Sequence, residues 1–151
     1  MIKVGEKAPD FEARDQDGNS VRLSELLSSG PVALFFYPAA MTPGCTAQSC
    51  HLRDLKSEFE ALGAHRVGVS HDSAEKQAEF AEQNSFDYPL LSDSDRGVAK
   101  KFGTKRLGMP WDKRTTFVID TDSTVLEVVH DEVNMERHAD RALEVLRERA
   151  S

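Results

Sequence analysis

Residues 32–37, Val32, Ala33, Leu34, Phe35, Phe36 and Tyr37, are apolar at every position. A strand with one wet face alternates polar and apolar residues, so this run predicts a strand covered on both faces, as in a parallel sheet between helices. The following segment, Pro38-Ala39-Ala40-Met41-Thr42-Pro43-Gly44-Cys45, reads as a loop entering a helix. Thr42 is a suitable N-cap, Pro43 fits the first helical position where no N–H is needed, and Cys45 falls in the first turn. Free backbone N–H groups and the positive end of the helix dipole favour a thiolate there over a thiol. The thiolate is the nucleophile, so Cys45 is marked as a reactive sulfur.

Leu52, Leu55, Phe59 and Leu62 continue at helical spacing as one core-facing stripe, with Gly63 as the expected stop. Cys45 lies seven residues before Leu52 and so falls near the edge of that stripe. Cys50 falls almost opposite, towards solvent. Five residues along a helix separate two Cα atoms by roughly 8 to 9 Å, beyond the limit of about 7 Å that a disulfide tolerates. A Cys45–Cys50 disulfide therefore requires local unwinding, expected between Thr42 and about Arg53.

The remaining pattern supplies an architecture. A hairpin is expected to turn at Asp15-Gln16-Asp17-Gly18-Asn19, and a short helix to begin near Ser24. Residues 65–70 read as a strand, and Asp72 or Ser73 caps a helix reaching about Asn84. A short strand over 88–91, a helix over 95–102 stopped by Gly103, and a loop over 104–113 follow. Strands over 115–120 and 124–130 flank the turn Thr121-Asp122-Ser123, and a final helix carries Met135, Ala139, Ala142, Leu143 and Leu146 on one face. Strands alternating with helices and ending in a hairpin plus helix predict an α/β fold, a single domain over 1–151 with a mixed, largely parallel sheet and helices on both faces, and a site where the first buried strand ends.

Pro38, Thr42 and Cys45 match the PxxxTxxC signature of peroxiredoxins, and Cys50 matches the CxxxxC spacing of the bacterioferritin comigratory protein (peroxiredoxin Q) subfamily. Ala8-Pro9-Asp10-Phe11, Phe36-Tyr37-Pro38, Arg114 and Phe117-Val118-Ile119-Asp120 extend the resemblance over nearly the whole chain. It implies a thioredoxin-like fold with peroxiredoxin additions. Cys45 resembles the peroxidatic cysteine, which becomes a sulfenic acid on reaction with a hydroperoxide. Thr42 and Arg114 resemble the residues that orient the peroxide and stabilise its leaving oxygen. Pro38 and Gly44 match the wall of the substrate pocket, and Cys50 the resolving cysteine of an intramolecular disulfide reduced by thioredoxin or a similar dithiol. Where relatives often carry a glutamate, this chain has Gln48, an amide that hydrogen-bonds but cannot take up a proton, and modest tuning of activity is expected. Each of these residues also has a plainer reading: Cys45 as a small buried apolar residue, which its helix-start context argues against, Cys50 as an incidental thiol, Thr42 as a cap alone, and Arg114 beside Lys113 as a solvated charge, against which only the resemblance speaks.

Hydrogen peroxide and organic hydroperoxides are the expected substrates of an atypical two-cysteine peroxidase that acts as a monomer without metal, haem or flavin. A net charge of −7 disfavours nucleic acid and anionic membranes as partners. The absence of an apolar N-terminal region or a transmembrane-length stretch, with two cysteines outside any scaffold pattern, leads to the expectation of a cytoplasmic protein. His51 beside Cys50 invites a metal reading with Cys45, but three ligands at these spacings on one helix do not converge. His65, His71, His130 and His138 show no ligand spacing. A thiol–disulfide carrier of the same fold is the alternative, although it would normally use CxxC; a copper-delivery module would more naturally use CxxxC and a distant histidine. Trp111 is expected to anchor its loop on the body of the domain.

Overall fold

The computed structural model describes residues 1–106, 108 and 111–150. Its strands are β1 (Glu12–Arg14), β2 (Ser20–Arg22), β3 (Val32–Phe36), β4 (His65–Ser70), β5 (Leu90–Ser92), β6 (Thr115–Ile119) and β7 (Val125–His130). The helices are α1 (Leu23–Leu27), α2 (Pro43–Asp54), α3 (Lys56–Ala61), α4 (Ala74–Asn84), α5 (Gly97–Phe102) and α6 (Met135–Ala150). All seven strands form one sheet in the order β2-β1-β5-β4-β3-β6-β7.

The apolar run becomes β3, fully buried along its length near the middle of the sheet. Its residues alternate between two cores, as a strand's period of two requires. Ala33, Phe35 and Tyr37 join the cluster containing Leu52, Phe59, Phe80, Leu143 and Leu146. Val32, Leu34 and Phe36 join Leu23, Leu27, Val98 and Phe102 on the other face. The parallel expectation holds on one side only: β3 runs parallel to β4 but antiparallel to β6. A burial pattern reports that both faces are covered, not which way a neighbouring strand runs.

The single stripe from Leu52 to Leu62 is broken in two. Leu55, with φ −92° and ψ 16°, separates α2 from α3. Leu52 and Phe59 are buried, whereas Leu55 and Leu62 are half-buried. Gly63 follows with a φ of +65°, the left-handed conformation expected of a glycine ending a helix. Ser73, rather than Asp72, caps α4 by accepting the Lys76 N–H at 3.2 Å. Trp111 is not a packed anchor: it is 38% exposed. Its neighbours Met109 and Pro110 in the expected loop lie outside the described residues, as do Leu107 and Ser151.

The sheet register brings three distant segments to one end of β3. In β6, Thr115 lies opposite Phe36, so Arg114 reaches the point where β3 gives way to the loop before α2. In β4, Val69 also lies beside Phe36, so Ser70 and Asp72 arrive at the same end.

Candidate active site

The loop from Pro38 to Thr42 turns sharply, with Met41 at a φ of +63°. A non-glycine residue in the left-handed region carries a cost of about 1–2 kcal/mol, which the surroundings must offset. Part of the offset is Asp72, a buried carboxylate whose Oδ2 accepts the Ala40 N–H at 2.7 Å and the Ser70 hydroxyl at 2.6 Å. Gln77 extends this network, donating Nε2 to Ser70 Oγ at 3.0 Å and to the Leu91 carbonyl at 2.9 Å, and accepting the Tyr37 hydroxyl. Burial pushes the Tyr37 phenol far up, which keeps it a donor.

Pro43 opens α2, and Thr42 occupies the N-cap position without capping. Its Oγ1 donates instead to the Ala39 carbonyl at 2.9 Å, and the residue is exposed. The side chain thus closes the turn below the helix and leaves the first N–H groups without its oxygen.

Cys45 is completely buried. Arg114, 6% exposed, donates Nη2 to Cys45 Sγ at 3.3 Å and Nη1 to Gln48 Oε1 at 2.6 Å. These two are one helical turn apart, so the guanidinium fork spans the first turn of α2. Among the described residues its guanidinium meets no carboxylate, and Cys45 Sγ and Gln48 Oε1 are the acceptors it reaches. Gln48 Nε2 and Arg114 Nε are buried without a hydrogen-bond partner among the described residues, leaving donor capacity beside the sulfur. The Arg114 backbone is fixed as well, its N–H donated to Glu132 Oε2 at 3.0 Å. Gly44 lies against the guanidinium, where a Cβ would come within a tight 3.3 Å of Arg114 Nη2 and an ordinary 3.6 Å of Met135 Sδ. Pro38 is half-buried at the other end of the loop.

Cys50 does not point to solvent as its helical angle predicts. It is half-buried, and its Sγ donates to Asn84 Oδ1 at 3.7 Å, at the end of α4. Helical phase locates a residue relative to its own helix axis, and here α4 covers that side. Both cysteines are free, with α2 continuous between them.

The arrangement thus unites Cys45 and Arg114 in direct contact, with Gly44 and Gln48 against them. Thr42 and Cys50 make their bonds elsewhere. Asp72 and Gln77 were not legible as parts of this region: each acts across a gap in sequence that leaves no local pattern. The surface clefts, including one lined by Phe11, Ser92, Asp95 and Lys101, share no residue with the Cys45 site. Among the described residues no group of three His, Cys, Asp or Glu side chains is placed to hold a metal ion, and no helix is long and apolar enough to cross a membrane.

Comparison with known proteins places this geometry in context. The model of the AhpC/TSA family matches residues 4–128. A putative peroxiredoxin of Mycobacterium tuberculosis is 59% identical over 150 residues, covering 97% of each chain. Peroxiredoxin Bcp of Escherichia coli is 39% identical over 155 residues, covering 99% of this chain and 98% of its own. The crystal structure of peroxidoxin BcpB from Mycobacterium tuberculosis superposes with a TM-score of 0.94 at 58% identity, over 98% of each chain.

Proposed function

The chain belongs to the AhpC/TSA family and is a peroxiredoxin, a thiol-dependent peroxidase; from that membership we propose that Cys45 is its peroxidatic thiol and Cys50 its resolving thiol. The observation that carries the assignment is the contact of 3.3 Å between the Arg114 guanidinium and the fully buried Cys45 sulfur. The guanidinium stabilises the thiolate and then the charge that moves onto the departing oxygen.

The reaction runs in two steps. The Cys45 thiolate attacks one peroxide oxygen, an S–O bond forms, the O–O bond breaks, and the departing oxyanion takes up a proton to leave as water or an alcohol. The Cys50 thiolate then attacks the Cys45 sulfur, forming the disulfide and expelling hydroxide, which is protonated to water. Burial of Cys45 and the continuity of α2 support local unwinding between the steps. Hydrogen peroxide and small organic hydroperoxides are the substrates, and thioredoxin or a similar dithiol restores both thiols. Both cysteines lie on one chain, so a monomer suffices, and no metal, haem or flavin enters either step. Two unpaired cysteines suit a reducing cytoplasmic setting.

Rapid mixing of the reduced protein with hydrogen peroxide, with titration of the remaining thiols and an intact mass, tests this reading. One equivalent of peroxide is expected to consume both thiols quickly and give a monomeric intramolecular disulfide. Loss of thiols at the rate of an ordinary free cysteine would overturn it.

A further inference from the structure

The part of α2 that carries Cys50 is fastened from outside the helix. Tyr88, only 3% exposed, donates its hydroxyl to the Ser49 carbonyl at 2.7 Å. Arg66, 6% exposed, donates Nη1 to the Leu52 carbonyl at 2.9 Å. The two fasteners support each other, with the Arg66 guanidinium 5.0 Å above the Tyr88 ring and its Nη2 bonded to Asp87 Oδ2 at 2.8 Å. Burial holds the Tyr88 phenol far above its usual range, so the hydroxyl stays a donor throughout the pH range in which a thiol enzyme works.

The Ser49 carbonyl lies in the helix interior, where α-helical bonding already gives such an acceptor a backbone N–H four residues ahead. The Tyr88 bond is therefore surplus to the helix itself. Its effect is to tie the helix to the segment leading into β5, while Arg66 ties it to β4. Neither bond survives when α2 unwinds between Thr42 and about Arg53, because the Ser49 and Leu52 carbonyls then leave their positions.

We infer that Tyr88 and Arg66 are positioning residues that hold Cys50 in the helical arrangement and so set the rate at which it reaches the Cys45 sulfenic acid. The inference rests on the two-cysteine reading above. Resolution competes with a second molecule of peroxide, which the sulfenate attacks to form a second S–O bond as the O–O bond breaks, leaving a sulfinic acid and water or an alcohol. A tighter fastening lengthens the life of the sulfenic acid and lowers the peroxide dose that inactivates the enzyme. Tyr88 and Arg66 thus govern the balance between turnover and overoxidation without touching the peroxide.

The test is Tyr88→Phe, which removes one hydroxyl and keeps the ring packed against Phe35 and Phe86. A single hydrogen bond of this kind changes the balance between helical and unwound forms by about threefold to tenfold. In rapid mixing the oxidation of Cys45 is expected to keep its rate, and disulfide formation to accelerate by that factor. The hydrogen peroxide concentration giving half sulfinic acid by mass is expected to rise in proportion, and amide exchange over residues 49–53 to quicken. Arg66→Lys, which retains the charge beside Asp87 but loses the fork, gives the same direction of change and serves if Tyr88→Phe does not fold. Disulfide formation at the wild-type rate in a folded variant overturns the inference, as does equal slowing of both steps. A wild-type protein that forms no Cys45–Cys50 disulfide instead overturns the two-cysteine reading, a result visible before any variant is made.

Discussion

At the start of α2 the Thr42 side chain turns back to the Ala39 carbonyl, Pro43 offers no N–H, and Arg114 is the one side chain bonded to Cys45 among the described residues. From the second turn onward the same helix is tied on several sides. His51 Nε2 meets Asp140 Oδ1 at 2.7 Å, Arg53 Nη1 meets the Asn84 carbonyl at 2.7 Å, and Tyr88 and Arg66 hold the Ser49 and Leu52 carbonyls. The difference separates two requirements. In the proposed two-step reaction a nucleophile needs a defined charge partner and unengaged donors, whereas a segment that later unwinds needs a barrier of the right height. The chemical step is therefore sensitive to charge at the first turn, and the conformational step to hydrogen bonds at the later ones.

Substitutions at the two sulfurs divide these steps most completely. Cys45→Ser is expected to abolish peroxide consumption, since no other thiol has the Arg114 contact. Cys50→Ser is expected to permit one oxidation per chain and then stop thioredoxin-linked turnover. Peroxide consumption and NADPH-coupled turnover measured side by side check both, and retained turnover in Cys45→Ser would place the chemistry elsewhere. Arg114→Lys comes next, because an ammonium cannot bridge Cys45 and Gln48 as the fork does. Its rate constant with peroxide is expected to fall by about 100-fold, with resolution of any sulfenic acid that forms unchanged. A matching loss in the second step would mean that the two ends of α2 are not energetically separate.

The parts of this organisation legible in sequence were those with a local signature. The apolar run of β3, the Pro43 helix start and the Gly63 and Gly103 stops are encoded within a few residues, and the expected helices and strands formed in the expected order, although the Leu52–Leu62 stripe was divided between α2 and α3 at Leu55. The thioredoxin-like architecture followed from the resemblance. What local sequence left open was set by partners distant along the chain. Strand direction beside β3 depends on β6, far along the chain, and the orientation of Cys50 depends on Asn84. Thr42 satisfied the sequence rule for a cap, yet the sharp turn at Met41 offered its hydroxyl a nearer acceptor. Asp72 has the composition of a cap but holds the Ala40 N–H, a pairing that only the parallel register of β3 and β4 creates.

Gln48→Glu sharpens the comparison within the first turn. A carboxylate there would neutralise part of the Arg114 charge and place a second negative group near the thiolate. The rate constant of Cys45 with hydrogen peroxide at pH 7 is expected to fall by about threefold to tenfold, with disulfide formation unaffected because the Tyr88 and Arg66 bonds remain. An increase in the first rate would show that the carboxylate helps as a base more than it harms as a charge.

The smallest effect concerns stability at the edge of the site. His138 is completely buried in α6, with Nδ1 2.8 Å from Thr116 Oγ1 and Nε2 2.8 Å from the Asp131 carbonyl. A carbonyl only accepts, so Nε2 carries the proton and Nδ1 takes the Thr116 hydroxyl, an arrangement complete in the neutral ring. Burial lowers its proton affinity below the usual imidazole value of 6.5, and the Arg114 charge adds to this against the opposing influence of the Asp131 carbonyl and of the Asp131 and Glu132 carboxylates. The unfolded chain then binds more protons than the folded one below about pH 6.5, so this residue's contribution to stability is present above that pH and is lost as pH falls towards the lowered folded value. Urea unfolding at pH 7 and pH 5 is expected to show a larger drop for the wild type than for His138→Gln. An equal drop would assign the acid sensitivity between these pH values to another group, and not to a carboxylate such as Asp131, which the Asn134 and Val133 N–H groups and Arg137 depress to about 2, so that its contribution is lost only below about pH 4. Since the Arg114 charge is among the influences on this ring, such a result would also mean that Arg114 does not affect the stability of the fold through His138.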